Sequence, residues 1–147
     1  MRAEIYNSKQ LILLTEVNEP IQVEWDKSKF NTAWIYGDLF QGSHDGIAVQ
    51  HAGLYQAEMS IRMEFLSQSD ISNLVIAFRF TVNNKPPGKW IKTKPGETDI
   101  IKYFENVYIN SGDILGVSAS MVNGDSIDIN LYPGVSYVRV KSLNSFQ

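Results

Sequence analysis

The amino-acid sequence predicts an all-β sandwich or barrel, and three observations carry that reading. Apolar residues recur at every second position over long stretches, which is the period of a strand with one buried face. The apolar runs are interrupted at short intervals by clusters of Gly, Asn, Asp and Pro, the residues that turn a chain. No stretch reads as a long helix. The turn spacing gives roughly eight to ten short strands, the pattern of packed antiparallel sheets.

Taken in order, residues 1–19 are expected to form an N-terminal arm or an extra strand, and residues 20–147 the sandwich domain. Ile21, Val23 and Trp25 alternate with Gln22 and Glu24, which predicts a strand. A further strand is expected within 32–40, then a loop over 41–46 and a short strand over 47–49. His51-Ala52-Gly53 makes a tight connection. The clearest strand follows: Tyr55, Ala57, Met59, Ile61, Met63 and Phe65 alternate with Gln56, Glu58, Ser60, Arg62 and Glu64. As a helix these apolar residues would scatter around the whole circumference. Leu74, Ile76, Phe78, Phe80 and Val82 repeat the pattern, but Val75 and Ala77 make the second face partly apolar. Such a strand is covered on both sides, by a second sheet or by another subunit.

The run from Asn83 to Gly88 contains Pro86 and Pro87 and ends that strand. Strands are expected over 102–109 and 114–121, separated by the turn Ser111-Gly112-Asp113. Asn123-Gly124-Asp125 predicts a hairpin into Ile127, Ile129 and Leu131. Tyr132-Pro133-Gly134 turns the chain into a last strand over 135–141.

Composition narrows the function classes. A chain of 147 residues with 44% hydrophobic and 20% charged residues suits one folded domain. A formal net charge of −3 with no run of Lys and Arg gives no basic surface for nucleic acid. With no cysteine, disulfides, thiolate metal sites and cysteine nucleophiles are excluded. The apolar run Leu11–Leu14 is too short for a secretory signal or a membrane span. The expectation is therefore a chain outside the usual export route, with no membrane insertion.

The residues of catalysis do not assemble. His44 lies beside Asp45 in a loop, and His51 in a connection, with no sequence sign of a nucleophile or an orienting third group. There is no Gly-x-Ser-x-Gly elbow, no metal-ligand spacing and no phosphate-binding glycine motif, so neither an enzyme nor a cofactor is expected. Asn123 to Asp128 is oxygen-rich like a calcium loop but lacks the downstream bidentate Glu, and the hairpin accounts for it. The tryptophans are the ligand candidates. Trp25, Trp34 and Trp90 all neighbour loop sequence, where an indole can offer a sugar ring an apolar platform and an N–H donor. The competing role is to seal the ends of the sandwich.

Three further segments together resemble a known family. Gly53-Leu54-Tyr55 opens the long strand, Ile109-Asn110-Ser111-Gly112-Asp113-Ile114-Leu115 places a small-Gly-Asp turn before an apolar strand, and the final strand reaches Val140. These are similar to the trimeric jelly rolls of the tumour-necrosis-factor-like (TNF-like) and complement-globular-head superfamily, over roughly residues 20 to 143. The sequence departs from that pattern at Tyr132-Pro133-Gly134-Val135-Ser136-Tyr137. It looks most similar to the head domains of phage receptor-binding and baseplate proteins. The resemblance implies an antiparallel jelly-roll β-sandwich assembled as a homotrimer, with Phe78, Phe80, Tyr103 and Tyr137 as interface candidates. It further implies a phage tail or baseplate protein, made in the host cytoplasm and carried on the virion. Other tail proteins or host cell-surface polysaccharide would be its partners, in adhesion or in a structural role. The alternative is a bacterial surface protein-interaction module of the same superfamily.

Overall fold

Strand periodicity becomes strand structure along most of the described residues. A computed structural model describes residues 2–6, 11–32, 39–65, 73–85, 88–94, 101–125, 127–132 and 135–143. The first elements are β1 (Arg2–Tyr6), β2 (Leu11–Leu14), β3 (Ile21–Gln22), a short 3-10 turn over Lys27–Lys29, β4 (Phe30–Thr32), β5 (Phe40–Ser43) and β6 (Gly46–Val49). The long strand is β7 (Gly53–Ile61), followed by β8 (Met63–Phe65), β9 (Val75–Val82) and β10 (Ile91–Thr93). The chain finishes with β11 (Ile101–Ile109), β12 (Ile114–Asn123), β13 (Ile127–Leu131) and β14 (Tyr137–Ser142). No helix among the described residues is long and apolar enough to cross a membrane.

The strands form two large antiparallel sheets and a small one. The first sheet runs β11-β7-β14-β1-β4, the second β10-β9-β12-β6-β5 with β3 added against β12, and the third β2-β13-β8. Crossovers between the large sheets put the first and last strands side by side, with Glu4 opposite Arg139. The core lies between the large sheets. Ile5, Tyr55, Ala57, Met59, Ile61, Val138 and Val140 face Ile76, Phe78, Phe80, Leu115, Val117 and Met121, all buried. Ile12, Leu14, Ile127, Ile129 and Leu131 of the small sheet extend it.

Local chemistry fixes the turns. Asn83 and Asn84 both adopt positive φ, 53° and 63°, closing a two-residue reversal in which Val82 and Lys85 pair; Asn tolerates that region better than other side chains do. Gly46 has φ 138°, and a Cβ there would lie 1.8 Å from the Leu115 carbonyl oxygen. Only glycine permits the close approach of β6 to β12.

Several expectations change. The long alternating run breaks at Arg62, because β7 belongs to the first sheet while β8 turns to pair with β13. The loop expected over 41–46 is instead the end of β5, a tight turn at His44 and Asp45, and the start of β6. Its polar residues suit an edge strand exposed on one side. Asn123-Gly124 does not close a hairpin: β12 and β13 lie in different sheets, and Leu74 packs where a Cβ on Gly124 would sit, 2.8 Å away. The strand expected through Trp25 covers only Ile21–Gln22. Most of the strand expected within 32–40 lies outside the described residues, as do Pro86 and Pro87. Residues 2–6 and 11–14, expected as an arm or extra strand, are strands of the first and third sheets.

Candidate functional site

Two features of the surface stand out, one on the outer side of each large sheet. The first is a cavity of about 370 Å3 on the outer side of the six-stranded sheet, lined by Asn18, Pro20, Arg79, Trp90, Lys92, Ser120 and Val122. Alternation places it there. Phe78 and Phe80 point into the core, so Arg79 between them points out. Ser120 lies opposite Ala77, and Ser118 opposite Arg79. The far wall is held by a polar cluster: Gln22 Nε2 donates to Thr81 Oγ1 at 3.2 Å, and Ser118 Oγ donates to Gln22 Oε1 at 3.0 Å. The Asn18 amide donates to the Met121 carbonyl at 2.8 Å, and Asn18 adopts φ 63°. These contacts fix residues 18–22 beside β12 and leave a trough between them and β10.

Trp90 forms the other wall. The Arg79 guanidinium carbon sits 4.0 Å from the centre of its ring, a cation–π contact that contributes about 0.5–2 kcal/mol. Arg79 Nε is buried and, among the described residues, has no hydrogen-bond partner. A buried, unsatisfied donor on a charged group costs at least about 1–3 kcal/mol, so the arrangement is poised to gain from an acceptor.

The second feature is the outer side of the five-stranded sheet. Register brings Phe104, Glu58, Arg139 and Glu4 into one row across β11, β7, β14 and β1. Arg139 Nη2 lies 2.7 Å from Glu4 Oε2, and Arg139 Nη1 lies 3.3 Å from Glu58 Oε1. The Tyr137 hydroxyl donates to Glu58 Oε2 at 2.5 Å, and the Tyr6 and Tyr137 rings pack 5.4 Å apart. Burial first, then the hydrogen bond and charge of Glu58, push the Tyr137 phenol up to about 12. Around this polar centre stand large apolar side chains in water: Leu54, Phe104, Tyr108 and Leu143, exposed by 41%, 52%, 61% and 43%. Leu54 and Tyr108 are direct partners in the register, and the Leu143 amide donates to the Leu54 carbonyl. Leu54, Tyr108 and Leu143 make one patch at the end of the face, and Phe104 stands beside Glu58, four residues before Tyr108 on β11.

The sequence-derived candidates divide between these features and the core. Trp90 lines the cavity, but Arg79 covers one of its faces, so the indole is a wall shared with a cation and not a bare platform. Trp25 is only 3% exposed and sits in the core, which removes it as a sugar platform. Trp34 lies outside the described residues. Phe78 and Phe80 have no accessible surface and fill the space between the sheets, so they cannot meet a partner chain. Tyr103 faces inward and stacks on Phe80, with ring centres 6.0 Å apart. Tyr137 alone of the four interface candidates belongs to the outer face of the five-stranded sheet.

Sequence reasoning missed Arg79, Arg139, Phe104 and Tyr108 as site residues. Arg79 did leave a signal, as the single charge in the run 74–82. Phe104 and Tyr108 share one strand face with Lys102 and Asn106, and that mixture hid them.

No protein-family model matches the chain, and no curated protein matches it. Solved structures do. The Eiger TNF of S. frugiperda is 13% identical with a TM-score of 0.56, the match covering 100% of this chain and 94% of that one. Murine APRIL is 11% identical with a TM-score of 0.57, covering 97% of this chain and 100% of that one. The PRD1 vertex protein P5 is 16% identical with a TM-score of 0.55, covering 97% and 96%. The chain thus has a TNF-like jelly-roll fold, shared by TNF ligands and by a viral vertex protein. At these identities the likeness is one of fold.

Proposed function

We propose that this protein is a virion component, a homotrimeric jelly-roll head that attaches a phage to carbohydrate on the bacterial surface through the Trp90 cavity. It is read as a binding protein and not as an enzyme. The observation that carries the reading is the outer face of the five-stranded sheet. Leu54, Tyr108 and Leu143 expose large apolar surfaces side by side at one end of this face, and Phe104 exposes another beside Glu58 on the same strand face. Contiguous apolar patches of this kind mark protein interfaces, and a second copy of the same chain is the partner always at hand. The likeness to PRD1 vertex protein P5 supports the virion setting. Three copies give three cavities, and with them avidity for a repetitive surface polymer.

The test is binding of the purified chain to bacterial cells pretreated with periodate or with protease. Loss on periodate treatment supports carbohydrate attachment, and loss on protease supports the alternative, a surface module with a protein partner. That second reading draws support from the TNF ligands among the similar structures. No binding to any cell surface would leave a structural role in the tail or baseplate. The variant Phe104→Glu/Tyr108→Glu should bind cells at least about tenfold more weakly, because it breaks the trimer and with it the avidity.

A further inference from the structure

We propose that the cavity beside Trp90 takes an anionic sugar unit, with its carboxylate or phosphate held by Arg79 and Lys92. This rests on the carbohydrate reading above and narrows it to a chemical class. Three observations support it.

The charge balance of the cavity comes first. Among the described residues, its lining contains two cations, Arg79 and Lys92, and no Asp or Glu. The chain as a whole is acidic, with a net charge of −3. Among the described residues, neither cation has an ion pair. By contrast, Arg139 on the other sheet is matched by two carboxylates.

Arg79 itself is the second. Its guanidinium is held against the Trp90 ring at 4.0 Å, and its Nε is buried without a hydrogen-bond partner among the described residues. A planar cation fixed by stacking has already lost most of its rotamer freedom, so little more is lost when an oxyanion arrives. Carboxylate and phosphate both match its donor fork. A neutral sugar would leave the charge uncompensated.

The third is shape. A cavity of about 370 Å3 is at the small end of ligand pockets. It suits one sugar residue with its substituent, met along a polymer. Asn18 and Ser120 supply amide and hydroxyl groups for ring hydroxyls, and Pro20, Val122 and the indole edge supply apolar wall.

The experiment is a tryptophan-fluorescence titration of the full chain with three probes of similar length. These are an oligogalacturonate, a neutral oligogalactose and an oligomeric glycerol phosphate. Either acidic probe should bind at least about tenfold more tightly than the neutral one, and more weakly as salt is raised. The arm that binds better tells a uronic-acid polymer from a phosphodiester-linked one. Arg79→Gln should lose at least about tenfold for the acidic probe and little for the neutral one, while Arg79→Lys retains part of the affinity. Lys92 is exposed, so Lys92→Gln leaves the fold intact and should cost a smaller factor if Arg79→Gln proves unstable. Equal binding of acidic and neutral probes would overturn this proposal while leaving carbohydrate attachment standing. Binding of none would overturn both.

Discussion

Tyr137→Phe removes one oxygen from the polar centre of the five-stranded sheet and leaves its packing in place. The ring keeps its contacts with Tyr6 at 5.4 Å and with the Arg139 guanidinium at 4.5 Å. What goes is the 2.5 Å hydrogen bond to Glu58, which retains Arg139 Nη1 at 3.3 Å. A hydrogen bond to a charged group contributes about 1.5–3 kcal/mol. The phenol's own titration makes this contribution pH-dependent, because burial first, and Glu58 second, displace it from 10.0 to about 12 in the folded chain. The sign follows from which form the fold prefers. The folded state favours the neutral phenol, so the stabilisation is complete below pH 10 and is lost as pH rises toward 12. Urea unfolding followed by fluorescence, at one protein concentration, measures the gap between wild type and variant. That gap should be about 2 kcal/mol at pH 8, or roughly 5–8 °C in Tm for a domain of this size. It should close between pH 10 and 12. A gap that stays constant from pH 8 to 12, or one below about 0.5 kcal/mol at pH 8, would contradict a stabilising Tyr137–Glu58 hydrogen bond.

The remaining predictions concern backbone, core and surface. Gly46→Ala should cost at least about 3 kcal/mol, because positive φ and a collision with the Leu115 carbonyl act together; a normal urea midpoint would contradict this. Gly112→Ala also meets positive φ, but its Cβ would have open space, so about 1–2 kcal/mol is expected in the same assay. Phe80→Ala empties a fully buried site beside Tyr103 and should cost about 3–5 kcal/mol, measured by the shift in urea midpoint. Phe104→Glu with Tyr108→Glu changes side chains that are mostly in water within one chain. It should leave far-UV circular dichroism unchanged and dissociate the trimer, and the carboxylate that Phe104→Glu sets opposite Glu58 should cost up to about 1 kcal/mol of stability.

The fold was legible in sequence wherever one strand face is buried. Tyr55, Ala57, Met59 and Ile61 declare β7 because each odd position meets the core. Pairing was less legible, since it depends on residues far apart in the chain. Nothing local in Asn123-Gly124 says that β13 leaves β12 for the small sheet. The same limit applies to the sites. Trp90 was found by its residue type and its loop setting. Its partner Arg79 is eleven positions away and reaches it through the pairing of β9 with β10. Phe78 and Phe80 read as well for an interface as for a core, because aromatic residues fill both. Only the placement of the second sheet separates them from Phe104 and Tyr108.

The mass of the purified chain in solution, by light scattering at micromolar concentration, bears most directly on the proposed assembly. A mass near three times 16.6 kDa, falling to a single 16.6 kDa chain in the Phe104→Glu/Tyr108→Glu variant, is the expected result. A wild-type monomer, or a trimer untouched by those two substitutions, would contradict assembly through the outer face of the five-stranded sheet.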